Sequence, residues 1–143
     1  MNKSIRTEII INASKERVWE VLTDFGSYPQ WNPFIISIAG TQAKGSKLAV
    51  TLLNGKKEFA MKPNVLSVVP NQYFDWVGHL FIKGLFDGHH SFEIEELSPT
   101  QVRFIHVEHF SGILSGMILR SIADDTRNNF IKMNNALKEQ AEK

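Results

Sequence analysis

The chain has 143 residues, 43% hydrophobic and 22% charged, a balance that excludes intrinsic disorder and fits one domain over residues 1–143. It has no cysteine, which excludes disulfides, thiol catalysis and thiolate metal sites, and its net charge of +1 is spread without a basic run, which excludes a nucleic-acid face. No apolar stretch approaches the roughly 18 residues of a membrane span, and Met1 to Asn12 lacks the apolar core of a secretory signal, so a soluble cytoplasmic protein is expected.

Ile5–Ile11 is rich in β-branched residues and reads as a first strand. Ser14 is a good N-cap, and Val18, Trp19, Val21 and Leu22 follow at helical spacing until Thr23-Asp24. The next stretch, FGSYPQWNPF, sets Gly26, Pro29 and Pro33 among aromatics. Its prolines forbid a long helix, so a broken turn carries Tyr28, Trp31 and Phe34. From Ile35 the chain becomes a run of strands: Ile35–Ala39, Lys47–Leu53, Lys56–Val69 with a bend at Pro63, Tyr73–Leu80, Gly88–Leu97 and Gln101–Phe110. Asn54-Gly55 is a hairpin signal, and short turns between consecutive strands imply an antiparallel meander. From about Ile113 to Ala141, Ile118, Leu119, Ile122, Thr126, Phe130, Met133 and Leu137 fall on one side of a long helix. The order is that of an α+β protein: a curved antiparallel β-sheet wrapped around a long C-terminal α-helix, with two short helices after the first strand. A hollow remains wherever the facing side chains do not fill the space.

Trp31, Asn32 and Phe34 read in two ways. They form a mouth over the hollow, with Asn32 offering donor and acceptor to a ligand, or the aromatics plug the gap beside the first helix while Asn32 caps the turn before Pro33. Strand alternation sets Phe74, Trp76 and Gly78 on one face, with His90, Phe92 and Ile94 on the matching face of the next strand. In the last strand it groups Val102, Phe104, His106, Glu108 and Phe110. A three-residue turn at Ser98–Thr100 sets Leu97 opposite Gln101, Glu95 opposite Arg103, Phe92 opposite His106 and His90 opposite Glu108. Trp76, Phe92 and Phe104 are then expected to line a hollow of about 300–1,000 Å³.

Two histidines and a carboxyl inside an apolar hollow need a reason, because burying them unpaired costs several kcal/mol. The candidate reasons are contact with a ligand's polar end or proton transfer, a metal held by two His and one Glu, and a satisfied His–Glu bond that fixes register. Alternation fixes faces but not convergence on a point, so no metal and no cofactor are expected. At least one of these histidines should have a displaced pKa, with the direction open because burial lowers it and a carboxylate raises it. His79, His89 and His109 fall on the outer face or in loops. Leu114, Ile118 and Ile122 are candidates for a pocket wall, with Ser121, Asp125 and Asn129 within reach of that stripe.

The segments IRTEIIINASKERVWEVLTDFGSYPQWNPF, FDWVGHLFIKGLFDGHHSFEIEEL and VRFIHVEHFSGIL resemble the START-like ligand-binding superfamily (SRPBCC), and within it the polyketide cyclase/dehydrase-like branch. The resemblance runs from Ile5 to about Leu137 and implies the helix-grip fold, in agreement with the element order. That superfamily spans lipid carriers, hormone receptors, allergens, aromatic cyclases and co-chaperone domains, so fold alone does not supply function. Three readings stand. The first is binding of a small hydrophobic or aromatic ligand between sheet and C-terminal helix. The second is a cyclase/dehydratase-like enzyme using His90, His106 or Glu108. The third is a co-chaperone-like protein-interaction domain. A small hydrophobic ligand, no nucleic acid, no membrane span and a monomer or homodimer complete the expectation.

Overall fold

In the computed structural model, which describes residues 3–80 and 83–143, the β-branched N-terminal run forms strand β1 (Ser4–Ile11). Ser14 caps helix α1 (Lys15–Thr23) by accepting from the Arg17 N–H at 3.1 Å, and Val18, Val21 and Leu22 form its buried face. A 3₁₀ turn (Phe25–Ser27) and the short helix α2 (Tyr28–Trp31) follow, with Pro29 in the first turn where its missing N–H costs nothing. The strands are β2 (Ile35–Ala39), β3 (Ala49–Asn54), β4 (Lys57–Met61), β5 (Asn64–Val69), β6 (Tyr73–Leu80), β7 (Phe86–Ser98) and β8 (Gln101–Ser111). Helix α3 (Ser115–Ala141) ends the chain. Among the described residues, no helix is long and apolar enough to cross a membrane.

All pairing is antiparallel, in the orders β1-β8-β7-β6-β5 and β2-β3-β4. The single strand expected across Lys56–Val69 is therefore two strands in different sheets. Pro63 has no N–H to continue the β3–β4 ladder, and the chain crosses there from one sheet to the other. The two sheets meet at this crossing, where the Leu48 N–H donates to the Pro63 carbonyl at 2.9 Å and the Val65 N–H to Ser46 at 2.8 Å. At the β3–β4 hairpin Asn54 pairs with Lys57, and Gly55 takes the left-handed turn position with φ 64°. Along β7 and β8, Glu95 faces Arg103, Phe92 faces His106 and His90 faces Glu108, as alternation predicts. At the turn end Ser98, not Leu97, pairs with Gln101, because a bulge at Leu97 absorbs one residue.

Helix α3 begins at Ser115 rather than at Ile113. Just before it, the N–H groups of Ile113 and Leu114 bond the carbonyls of Gly84 and Leu85, at 3.0 and 2.9 Å, and tie the start of the helix to the segment that precedes β7. Its far end is held by Arg17, which donates to the carbonyls of Gln140 and Ala141, and by Lys138, which donates to the Ile10 carbonyl. Leu119, Phe130, Met133, Leu137 and Ala141 are buried on the sheet side, with Ile118 and Ile122 half-buried beside them. This is the helix-grip arrangement.

The centre of the grip is solid. Phe74, Trp76, Phe92 and Phe104 pack ring against ring with His90 and His106, all buried. From the helix, Phe130 lies flat on His106, with ring centroids 4.0 Å apart and planes 7° apart. Replacing Phe130 by Ala should therefore cost about 3–5 kcal/mol in urea unfolding. A loss under about 1 kcal/mol would contradict this packing.

Candidate functional site

On β6 and β7 the next inward positions beyond Trp76 and His90 are Gly78 and Gly88, and they pair with each other. Two adjacent strands thus lack side chains at the same height, and the aromatic packing stops there. A cavity of about 280 Å³ opens at that level. Gly78, Gly88, Glu108 and Phe110 border it from the five-stranded sheet, and Leu52, Asn54, Phe59 and Met61 from β3 and β4. Ile122, Thr126 and Asn129 of α3, at helical spacing, close the remaining side. Phe86 and Phe110 stack 5.3 Å apart as one wall, and Asn129 donates to Asn54 at 3.2 Å, joining helix to hairpin. Phe59, 46% exposed, stands at the rim.

The glycines are filled by other residues' tips. A Cβ on Gly88 would stand 2.2 Å from Glu108 Oε2, and one on Gly78 would stand 2.2 Å from the Met61 methyl. The carboxyl of Glu108 therefore lies directly over Gly88. Among the described residues it is the only carboxyl on the cavity wall.

Behind Glu108 runs a buried polar chain. His90 Nδ1 stands 3.8 Å from Glu108 Oε1, beyond hydrogen-bond length. His90 Nε2 meets His106 Nε2 at 2.6 Å, and His106 Nδ1 meets Asn134 Oδ1 at 2.9 Å. Asn134 Nδ2 donates to Thr7 Oγ1 at 2.8 Å, and the Thr7 hydroxyl donates to the His106 carbonyl at 3.3 Å. Burial holds all three ionisable groups uncharged. It depresses His90 well below the usual histidine range, and the neighbouring imidazoles of His106 and His89 push in the same direction, since a second positive charge there would be repelled. It brings His106 down to about 3, against the opposing effect of the hydrogen bond that His106 Nδ1–H donates to Asn134 Oδ1. It pushes Glu108 up to about 8. The direction left open by the sequence is thus downward for both histidines, because a neutral carboxyl has no charge with which to raise them.

A metal does not fit between the histidines. An ion with bonds of about 2.0–2.1 Å holds its ligand nitrogens about 3 Å apart or more, and these two nitrogens are at 2.6 Å. Among the described residues, no group of His, Asp and Glu is arranged to hold one elsewhere.

Of the residues singled out from sequence, Phe34, Glu108 and Ile122 border the cavity. Trp76, His90, Phe92, Phe104 and His106, expected to line it, are instead packed on one another and on Phe130. Large rings on successive strands fill the space they face, so the opening lies where the rings run out. Trp31 packs edge-on to Tyr28 and borders a smaller cleft beside α1, not the cavity. Asn32 accepts from the Phe34 and Ile35 N–H groups, both at 2.9 Å, so it caps the turn before Pro33. Leu114 and Ile118 lie one to two turns short of the cavity, which begins at Ile122. Ser121 and Asp125 are exposed, whereas Asn129 is buried at the wall. Of the three histidines expected outside, His79 borders the cavity and bonds Asp87 at 2.7 Å, whereas His89 bonds Asp75 at 2.6 Å and His109 stacks beside His89.

Sequence reasoning missed Gly88, which looks like turn punctuation before a strand, along with Asn134 and Thr7. The signal for Asn134 is a polar residue four after Phe130 and three before Leu137, inside the buried stripe. For Thr7 it is a hydroxyl at an inward position two after Ile5.

A family model described as polyketide cyclase / dehydrase and lipid transport matches residues 3–138. Among solved structures, a START superfamily protein from Mycobacterium smegmatis is 20% identical, with a TM-score of 0.73 over 97% of each chain. An aromatase/cyclase from a Streptomyces species is 12% identical, with a TM-score of 0.76 over 97% of this chain and 93% of its own. A norcoclaurine synthase point mutant from Thalictrum flavum, in complex with a transition-state analogue, is 12% identical, with a TM-score of 0.75 over 99% and 95%. At these identities the likeness is one of fold. No curated protein sequence matches.

The buried cluster sets a pH dependence of stability. His106 takes its proton near 6.5 when unfolded but near about 3 when folded, so stability falls as pH drops through that interval. His90 is shifted in the same direction. Glu108 is reversed, at 4.5 unfolded and about 8 folded, so its contribution is lost as pH rises between those values. Below 6.5 two histidines outweigh one carboxyl, and above it the carboxyl acts alone, so the cluster's contribution peaks near pH 6.5. Urea unfolding from about pH 5 to about pH 9 should show that maximum, and Glu108→Gln should remove the alkaline fall. An alkaline limb unchanged by Glu108→Gln would contradict the assignment.

Proposed function

Because the chain belongs to the polyketide cyclase / dehydrase and lipid transport family, we propose that it binds a small, mostly apolar molecule in the cavity over Gly78 and Gly88, with Glu108 as its carboxyl contact. The observation that carries this reading is the pairing of two side-chain-free positions where an otherwise filled aromatic core ends. A cavity of about 280 Å³ is at the small end of ligand sites, which run to about 1,000 Å³. It suits a molecule with one or two fused rings better than a long acyl chain. Its wall joins phenylalanines and aliphatic side chains to a few polar groups, the usual composition of a site that orients an apolar ligand.

A second reading, a cyclase-like or dehydratase-like enzyme, is favoured by the state of Glu108. A carboxyl pushed up to about 8 beside the cavity is a competent general acid near neutral pH. On this reading Glu108 would hand its proton to the bound molecule, and His90 and His106 would serve behind it.

A naphthalene-based fluorescent probe should bind at about one per chain. Gly78→Leu should abolish that binding while leaving the far-UV circular dichroism unchanged, because position 78 has ordinary strand geometry and its Cβ would crowd the movable end of Met61 while only touching Pro63 at ordinary contact distance. Probe binding untouched by Gly78→Leu would place the probe elsewhere and refute the cavity as the site.

A further inference from the structure

The buried chain behind Glu108 has a direction, and the direction follows from hydrogen counting. Thr7 has one hydroxyl hydrogen, and it goes to the His106 carbonyl. Its oxygen therefore accepts from Asn134 Nδ2, which turns Asn134 Oδ1 toward His106 Nδ1. That nitrogen must carry a hydrogen. A neutral imidazole has only one, so His106 Nε2 is an acceptor and the hydrogen in the 2.6 Å contact belongs to His90 Nε2. His90 Nδ1 is then a bare lone pair, aimed toward Glu108 Oε1. The opposite direction would require Thr7 to give its only hydrogen to Asn134, leaving the His106 carbonyl without this bond.

Direction decides what the cavity wall offers. A protonated His90 Nδ1 would stabilise a carboxylate at Glu108; a lone pair repels one. Among the described residues, no side chain or backbone N–H donates to the Glu108 carboxyl, and that lone pair stands 3.8 Å from it. The acid form suits this surrounding, and its hydrogen has no protein acceptor within bonding distance.

Building on the cavity reading above, we propose that Thr7 and Asn134 are positioning residues that orient the His106–His90 pair so that Glu108 stays a neutral donor, and that the cavity thereby selects apolar ligands ending in a neutral acceptor such as a carbonyl over ligands ending in a carboxylate. Thr7 and Asn134 touch no ligand. They act through two imidazoles on the form of a group that does. A carboxylate ligand would meet Leu52, Phe59, Met61, Phe86 and Phe110 around the acid, with no Lys or Arg among the described residues of the wall and its one histidine, His79, already bonded to Asp87.

Three probes of one shape separate the possibilities at about pH 6.5: acetonaphthone, ethylnaphthalene and naphthoate, titrated calorimetrically against the full chain. A single neutral hydrogen bond predicts that the ketone binds about 2- to 12-fold more tightly than the hydrocarbon, with naphthoate at least about tenfold weaker than the ketone. Glu108→Leu should remove the ketone's advantage while retaining the hydrocarbon. Two-bond proton–nitrogen spectra should show His106 as the Nδ1–H tautomer and His90 as the Nε2–H tautomer. Thr7→Val, of nearly the same shape, should mix the tautomers and reduce the ketone's advantage, which a merely structural role for Thr7 would not do. Binding of ethylnaphthalene with no preference for the ketone overturns this proposal alone, as does His106 found as Nε2–H in the parent protein. Failure of all three probes to bind overturns the cavity reading and this proposal together.

Discussion

Two imidazole nitrogens 2.6 Å apart in the middle of an aromatic core constrain much of what surrounds them. Two charged rings cannot share such a contact, and two acceptors or two donors would repel, so one ring must give a hydrogen and the other receive it. Water is excluded by Phe92 and Phe104 on the sheet and by Phe130 on the helix. Each ring's second nitrogen therefore needs its own arrangement. His106 finds it in Asn134, which in turn requires Thr7; His90 is left with Glu108 at the cavity edge. The requirement passes from one pair to the next until it reaches the cavity.

The opening itself is a matter of volume. Interiors pack to uniform density, so a cavity persists only where the backbone brings together positions that nothing fills. Gly78 opposite Gly88 is such a place, and the tips of Met61 and Glu108 take up only part of the room. A methyl group at position 88 would collide with the Glu108 carboxyl. The glycine thus leaves room for the acid where it stands, rather than serving a turn.

The fold was legible because its signals are local. Ser14, the Asn54-Gly55 hairpin, the β7–β8 register and the helical stripe each depend on residues close in sequence or on a single turn. Inward faces of the strands were also legible, since alternation has a fixed period. What alternation does not carry is depth along the strand. Trp76 and Gly78 share a face, yet one is core and the other cavity floor, and only the cross-strand pairing with Gly88 separates them. The split of the Lys56–Val69 segment was hidden for a similar reason: Pro63 announces a bend, but where the chain goes afterwards depends on two sheets meeting. Asn134 and Thr7 lie 127 residues apart, and no pattern within either element relates them.

That long-range bond also explains how a site at one end of the sheet can share determinants with the seating of the helix. Asn134 belongs to α3 and Thr7 to β1, while His106 belongs to β8, which pairs with β1 through Thr7 itself. Sliding the helix by one turn, about 5.4 Å, would carry Asn134 away from both partners and leave three buried polar groups unsatisfied, a cost of about 1–3 kcal/mol for each. An apolar stripe alone tolerates such slips far better, because leucine and methionine repack. The polar chain therefore fixes the helix on the sheet and sets the hydrogen direction toward Glu108 by the same bonds. Any change that loosens the seating of α3 also alters the surroundings of the acid on the cavity wall, so helix placement and the state of that acid are determined together.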